Sequence, residues 1–264
     1  MSDIVGIVGS TKKEGMTAGL VKSSLQAVEN EGVKTKLLYL VDFEIKPCRD
    51  CADKTCWEDH ECQFSDDSQR LQEIIDFSDG LIMGAPVFYL DVNGITKNFL
   101  DKMRFRQTNG KPALAITMAG GTGKGFILAL KSLYHFFFCV SLRSIEGLPV
   151  TRFNYEAALR EAQSRGRKLA QVSYNLRPFE NLAERIRYYH CLPYMNDDII
   201  EENFYLAQLV VQDAKFKSKA PSMIVKEAEK AMEKAMNLME KGQKEKAVAP
   251  IMEAYNKGSN SNRS

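Results

Sequence analysis

The sequence predicts a doubly wound, five-stranded parallel α/β sheet followed by an all-helical C-terminal extension. Three observations carry that expectation. Strand-like and helix-like stretches alternate through the first 150 residues, the order that builds a parallel sheet with crossover helices. The strand-like stretches are short continuous apolar runs, as expected where both faces of a sheet are covered. After Pro149 only the helical period persists, punctuated by Pro178, Pro193, Pro221 and Gly242.

In chain order, the candidate strands are Ile4–Val8, Thr35–Leu40, Gly80–Gly84, Ala113–Met118 and Val140–Ile145. Helical patterns lie between them at Thr17–Glu29, Asp67–Phe77, Ile95–Met103 and Phe126–Phe138, with Gly15 and Gly94 breaking the chain just before two of them. From Tyr155 the pattern is helical. Asp198 followed by Glu201 resembles a capping box opening a helix that ends near Lys217, and Ser222 is placed to cap the next. Met232, Met236 and Met239 share one face of that helix, which suits packing more than a docking surface. The run 257–264 is rich in Ser and Asn and is expected to be a disordered tail. The expected organisation is an α/β domain over 1–150 with a cysteine-rich loop at 47–63, then a helical extension over 151–256.

Composition excludes several classes of function. Thirty-six basic against 34 acidic residues leave a formal net charge of +2, too small a one-signed field to attract nucleic acid or an anionic membrane. No stretch approaches the roughly 20 apolar residues of a membrane-spanning helix, and the opening residues lack the basic leader and cleavage site of a signal peptide. A cytoplasmic location is therefore expected, where six cysteines read as thiols or metal ligands before disulfides.

Three loops carry the candidate chemistry. The first strand runs through Gly9-Ser10-Thr11-Lys12-Lys13-Glu14-Gly15-Met16-Thr17 into a helix, bringing backbone N–H groups, hydroxyls and lysines to a helix N-terminus that can hold an anion. The third ends in Gly84-Ala85-Pro86-Val87-Phe88-Tyr89, and the fourth in Met118-Ala119-Gly120-Gly121-Thr122-Gly123-Lys124-Gly125. All three lie at carboxyl ends of parallel strands, where ligands bind beside the topological switch point, and a flavodoxin-type strand order brings them together. Pro86 with the aromatic pair would line the edge and face of a flat ring, and the glycines would let backbone approach its polar rim. The spacing suits flavin mononucleotide (FMN). It does not suit a P-loop, since Met118 and Gly125 stand where that motif needs Gly and Ser or Thr, nor a dinucleotide fingerprint, since Gly6, Gly9 and Gly15 have the wrong intervals.

With these residues in view, the chain resembles the NADPH-dependent FMN reductase family of the flavodoxin-like superfamily, and within it the iron–sulfur flavoprotein branch. The resemblance covers roughly the first 150 residues: Gly9 to Lys12 with Gly15 and Thr17, Pro47-Cys48 through Cys62, Asp66-Asp67, and Pro86 to Tyr89 through Lys97, Phe99, Leu100 and Asp101. It implies an FMN phosphate on the first loop (Ser10, Thr11, Lys12, Gly15, Met16, Thr17). It implies an isoalloxazine between Pro86, Val87, Phe88, Tyr89 and the loop Ala119, Gly120, Gly121, Thr122, Gly123. It also implies association as a homodimer or homotetramer. Met16, Leu90 and Lys102 stand where the family usually has Asn, Gly and Arg.

Cys48, Cys51, Cys56 and Cys62 crowd the loop after the second strand. Four thiolates meet the ligand count of a [4Fe–4S] cluster and equally of tetrahedral zinc, and plain thiols remain a third reading. Iron–sulfur flavoproteins place a similar cysteine motif here, with two residues between the second and third cysteines where this chain has four. Trp57 lies inside the segment, where a shield for the site and a core residue are equal readings, and His60 is an alternative ligand for which four cysteines leave no vacancy in a closed site. Cys139 and Cys191 read as buried thiols and His135 as helix packing. No Ser/His/Asp arrangement or metalloprotease helix is present.

The function expected is an FMN-dependent oxidoreductase that transfers electrons, carrying a [4Fe–4S] cluster and drawing electrons from a ferredoxin-like partner or reduced nicotinamide (NAD(P)H). In it the chemistry belongs to the flavin and no side chain acts as acid or base. The alternatives are a cluster-free NAD(P)H-dependent FMN or quinone reductase, and a non-catalytic flavin-binding module with a zinc site.

Overall fold

A computed structural model describes residues 3–51, 55–58, 62–217 and 222–261, with the backbone alone for Thr55 and Trp57. The central strand β1 (Asp3–Val8) is flanked by β2 (Lys34–Tyr39) and β3 (Gly80–Phe88), and β3 pairs onward with β5 (Pro112–Ala119), all parallel. The order β2-β1-β3-β5 reverses its winding at β1, so the crevice between the carboxyl ends of β1 and β3 is a topological switch point.

Alternation along these strands sorts the core into two faces. Ile4, Val8, Ile82, Leu114 and Ile116 point to the face covered by α1 (Met16–Asn30) and α6 (Tyr155–Ser173). Val5, Ile7, Leu81, Met83, Ala113 and Ala115 point to the other, covered by α3 (Ser68–Asp76), α4 (Gly94–Lys102), α5 (Phe126–Cys139) and α7 (Leu182–His190). The short helix α2 (Thr55–Glu58) lies in the cysteine-rich loop.

The fifth strand differs from the expected Val140–Ile145. Val140 ends α5, and Ser141 sits in the left-handed region at φ 60°, which turns the chain out of the helix. Pairing with β5 then comes in two pieces, β6 (Arg143–Ser144) and β7 (Leu148–Thr151). Pro112 faces Arg143 whereas Ile116 faces Leu148, so one extra residue is accommodated between them as in a β-bulge. The N–H of Gly147, freed by that bulge, donates to the Tyr134 hydroxyl at 2.6 Å. A further short strand, β4 (Asp91–Val92), folds back antiparallel on the end of β3.

Beyond α7, the helices α8 (Ile199–Lys217), α9 (Met223–Glu240) and α10 (Lys244–Ser261) share a core in which alanines predominate, with Ala207, Ala228, Ala231, Ala235, Ala247 and Ala254 all buried. The capping box forms: the Asp198 carboxylate accepts from the Ile200 and Glu201 N–H groups, and Glu201 accepts from the Asp198 N–H at 3.1 Å. Ser222 likewise caps α9. Met232 is buried and Met239 packs against the same core, but Met236 is exposed.

Four expectations are corrected. Cys139 and Cys191 are exposed, each at the carboxyl end of a helix whose buried stripe faces elsewhere. His135 is exposed on α5, between the buried Tyr134 and Phe136. The expected tail is helical as far as Ser261, because Gly258 packs against Val210 and holds α10 to α8. Residues 262–264, His60 and the side chain of Trp57 lie outside the described residues. No helix among the described residues is long and apolar enough to cross a membrane.

Candidate functional site

The three loops meet in one open groove of about 1090 Å³ at the carboxyl ends of β1, β3 and β5. Ser10, Thr11, Lys12, Gly15, Met16 and Thr17 line one part, Pro86, Val87, Phe88 and Tyr89 a second, and Ala119, Gly120, Gly121 and Thr122 a third. Gly123 does not line it; it faces back toward Leu206 and Phe153. Asn93 and Ile95 complete the wall.

The first loop is held by its neighbours. The Gly9 N–H donates to Gly84 O at 2.7 Å, and the Asn93 side chain donates to Gly9 O at 2.8 Å while accepting from the Thr96 hydroxyl at 2.6 Å. Thr96 lies so close that a Cβ on Gly9 would overlap its hydroxyl. Only glycine lets the turn sit there. Asn93 and Thr96 were not singled out by motif; their spacing at a helix N-terminus was the one signal available.

The helix start that this loop presents is bare. Gly15 occupies the N-cap without a side-chain cap, and α1 has no acidic residue in its first turn, so the positive end of the helix dipole faces the groove uncompensated. Lys13 is drawn away by Asp42 at 2.6 Å, whereas Lys12 lines the groove and has no ion-pair partner among the described residues.

Opposite, β3 and β4 are joined by the two residues Tyr89 and Leu90, both with positive φ, at 49° and 69°. A two-residue hairpin turn of that kind favours Asn-Gly. Here it carries Leu90, at a cost of ~1–2 kcal/mol. Phe88 and Tyr89 are thereby thrust outward, 58% and 101% exposed. The exposure leaves two aromatic faces open at the groove mouth.

The third loop is a thin layer between the groove and the C-terminal helices. Gly125 has φ 90° and packs under the hairpin, where a Cβ would come within 2.5 Å of Leu90 Cα and 2.7 Å of Val87 Cγ1. Its N–H donates to Glu202 of α8, as does that of Leu128 at 2.9 Å. The Glu202 carboxylate is buried, and burial pushes its pKa up against the opposing pull of those N–H groups and of Lys124.

The cysteine-bearing loop is closed at its neck. The Glu44 N–H donates to the Asp67 carboxylate at 2.7 Å, the Asp67 N–H to Glu44 O at 2.9 Å and the Lys46 N–H to the Asp66 carboxylate at 2.9 Å. Asp66 also pairs with Lys102 of α4, both side chains out of solvent at 0% and 3% exposure. Burial alone would push the Asp66 carboxyl up, but the Lys102 ammonium and the Ser68 and Lys46 donors outweigh it and hold its pKa at about 2. Beyond the neck, Cys48 is exposed and Cys51, Cys56 and Cys62 are half-buried, all as free thiols. The donor set has the right chemistry for a metal or cluster, but among the described residues no three Cys, His, Asp or Glu side chains converge.

Comparison with known proteins agrees with this geometry. The family profile for NADPH-dependent FMN reductase matches residues 2–150. The chain is 27% identical over 187 residues to an iron–sulfur flavoprotein of Methanocaldococcus jannaschii, covering 64% of this chain and 96% of that one. It is 33% identical over 124 residues to an iron–sulfur flavoprotein of Archaeoglobus fulgidus, covering 46% and 56%. Among solved structures it resembles in fold RosB (TM-score 0.53, 14% identity, covering 71% of this chain and 85% of that one) and an NAD(P)H:quinone oxidoreductase from Methanothermobacter marburgensis (TM-score 0.51, 14% identity, covering 64% and 96%). A groove at the switch point, a bare helix start facing it and a profile spanning residues 2–150 agree: the chain belongs to the NADPH-dependent FMN reductase family, is similar to iron–sulfur flavoproteins, and is a flavin-dependent oxidoreductase.

Proposed function

We propose that the groove holds FMN with its phosphate on the first loop and its isoalloxazine between the Pro86–Tyr89 segment and the Ala119–Gly123 loop. The protein would then be an electron-transfer flavoprotein with a [4Fe–4S] cluster on Cys48, Cys51, Cys56 and Cys62. The observation that carries the flavin reading is the polarity of the groove. One end offers hydroxyls, Lys12 and an uncapped helix start, suited to a phosphate dianion. The other offers Pro86, aromatic faces and bare backbone, suited to a flat ring with polar edges. Flavin supplies two-electron and one-electron chemistry when bound. The residues bind and orient it, and the electron donor is a ferredoxin-like protein or reduced nicotinamide. The exposed apolar hairpin tip supports assembly as a homodimer or homotetramer.

Four free thiols and the names of the relatives support the cluster. A cluster-free NAD(P)H-dependent FMN or quinone reductase is the second reading, favoured by the dispersed placement of those thiols. Anaerobic purification and reconstitution, with iron, zinc and sulfide measured per chain in the wild type and in Cys51→Ser, separate the two. About four irons and four sulfides, lost in Cys51→Ser, support the cluster. Flavin without iron after reconstitution removes it, and zinc without sulfide gives a structural metal site instead.

A further inference from the structure

We infer that the C-terminal helical extension is part of the flavin site without touching the ligand, and that Glu202 is the positioning residue through which it acts. This rests on the assignment of the ring to the third loop. No residue of α6 to α10 lines the groove among the described residues, yet three contacts from the extension reach the back of the loop that does. The Glu202 carboxylate accepts from the N–H groups of Gly125 and Leu128, one on each oxygen. The Tyr255 hydroxyl of α10 donates to Thr122 O at 3.0 Å. Leu206 closes over Gly123.

Glu202 stands where a helix cap would. Gly125 is the N-cap of α5 and has no side chain to satisfy the N–H groups of the first turn. A carboxylate 77 residues further along the chain supplies both acceptors, and its negative charge meets the positive end of the α5 dipole. Gly125 in turn supports Leu90 and Val87 of the strained hairpin. One buried side chain thus sets the height of the third loop and, through Gly125, the position of the hairpin across the groove. Without it the ligand would have to order the loop on binding, and the apparent affinity would fall by the fraction of molecules in the competent form.

Glu202→Gln tests this. A glutamine keeps one acceptor and turns an amine toward the other N–H. The readout is the Kd of the flavin-free protein for FMN and for riboflavin, which lacks the phosphate, by quenching of flavin fluorescence. Glu202→Gln is expected to raise both about tenfold, equivalent to about 1.4 kcal/mol, because it disturbs the ring side. Thr17→Val, on the phosphate side, raises the Kd for FMN alone. Tyr255→Phe shifts both ligands in the same direction as Glu202→Gln by about two- to threefold, and decides the matter should Glu202→Gln fail to fold. Wild-type affinity for both flavins in Glu202→Gln, even with lowered thermal stability, would overturn the inference and leave Glu202 a fold residue. A wild-type protein that binds neither flavin would instead overturn the flavin reading on which it stands.

Discussion

Replacing Asp66 by Asn removes one charge from a pair that closes the neck of the cysteine-bearing loop, and its cost can be worked from the structure. The carboxylate is wholly buried, paired with Lys102 and hydrogen-bonded by the Lys46 and Ser68 N–H groups, both at 2.9 Å. Its pKa falls from 3.8 to about 2 on folding, which at 1.36 kcal/mol per pKa unit is about 2–3 kcal/mol of stability. Because the folded value is depressed, that stability is fully present above the unfolded pKa and is lost as pH falls from about 4 through 2. Asn also leaves the Lys102 ammonium buried without a counter-ion, a change that costs about 3–5 kcal/mol. Urea unfolding at pH 7 should therefore show Asp66→Asn destabilised by about 2–5 kcal/mol. Its acid unfolding should lack the part of the wild-type slope that Asp66 contributes. The double variant Asp66→Asn with Lys102→Met should recover much of the loss, since removing both partners of a buried pair is far less costly than removing one. A single variant within about 0.5 kcal/mol of wild type, the range of ordinary surface changes, with an unaltered acid slope would refute the reasoning.

Three further outcomes are expected. Gly9→Ala forces a methyl into Thr96 and loosens the first loop; a loss of ~1–3 kcal/mol in urea unfolding is predicted, and a wild-type midpoint would contradict it. Leu90→Gly relieves a left-handed residue, whereas Leu90→Val places a β-branched one there. Differential scanning calorimetry should rank Gly above Leu above Val, and the opposite ranking would rule out the turn geometry. Tyr134→Phe takes away the acceptor of the buried Gly147 N–H, a loss of ~1–3 kcal/mol that an unchanged chemical denaturation curve would disprove.

Much of the sheet domain was legible in the sequence because buried strands write continuous apolar runs and the loops at their ends write glycine and hydroxyl clusters. Of the fifteen residues expected to form the cofactor site, only Gly123 faces away from the groove. The fifth strand lies later than expected because the apolar run Phe136–Val140 leads straight on into Leu142 and Ile145, and nothing local says that Ser141 turns left-handed or that a bulge follows. Glu202, Asn93 and Thr96 were missed for a different reason. Each acts on backbone more than 70 residues away, and an isolated polar residue carries no mark of a distant partner. Lys102 was visible only as a departure from the family pattern; its role comes from the buried carboxylate of Asp66, 36 residues distant. The tail was misjudged from composition, since Gly258 is small enough to fit against Val210 of α8 where a larger residue would not.

The groove at the strand ends is the expected seat of the flavin. Titration of the flavin-free protein with FMN, followed by fluorescence quenching and by the visible absorption of the complex, tests it most directly. Saturation at one FMN per chain, with weaker binding in Thr17→Val, is the predicted result; FMN that stays fully fluorescent in the presence of folded protein would contradict it.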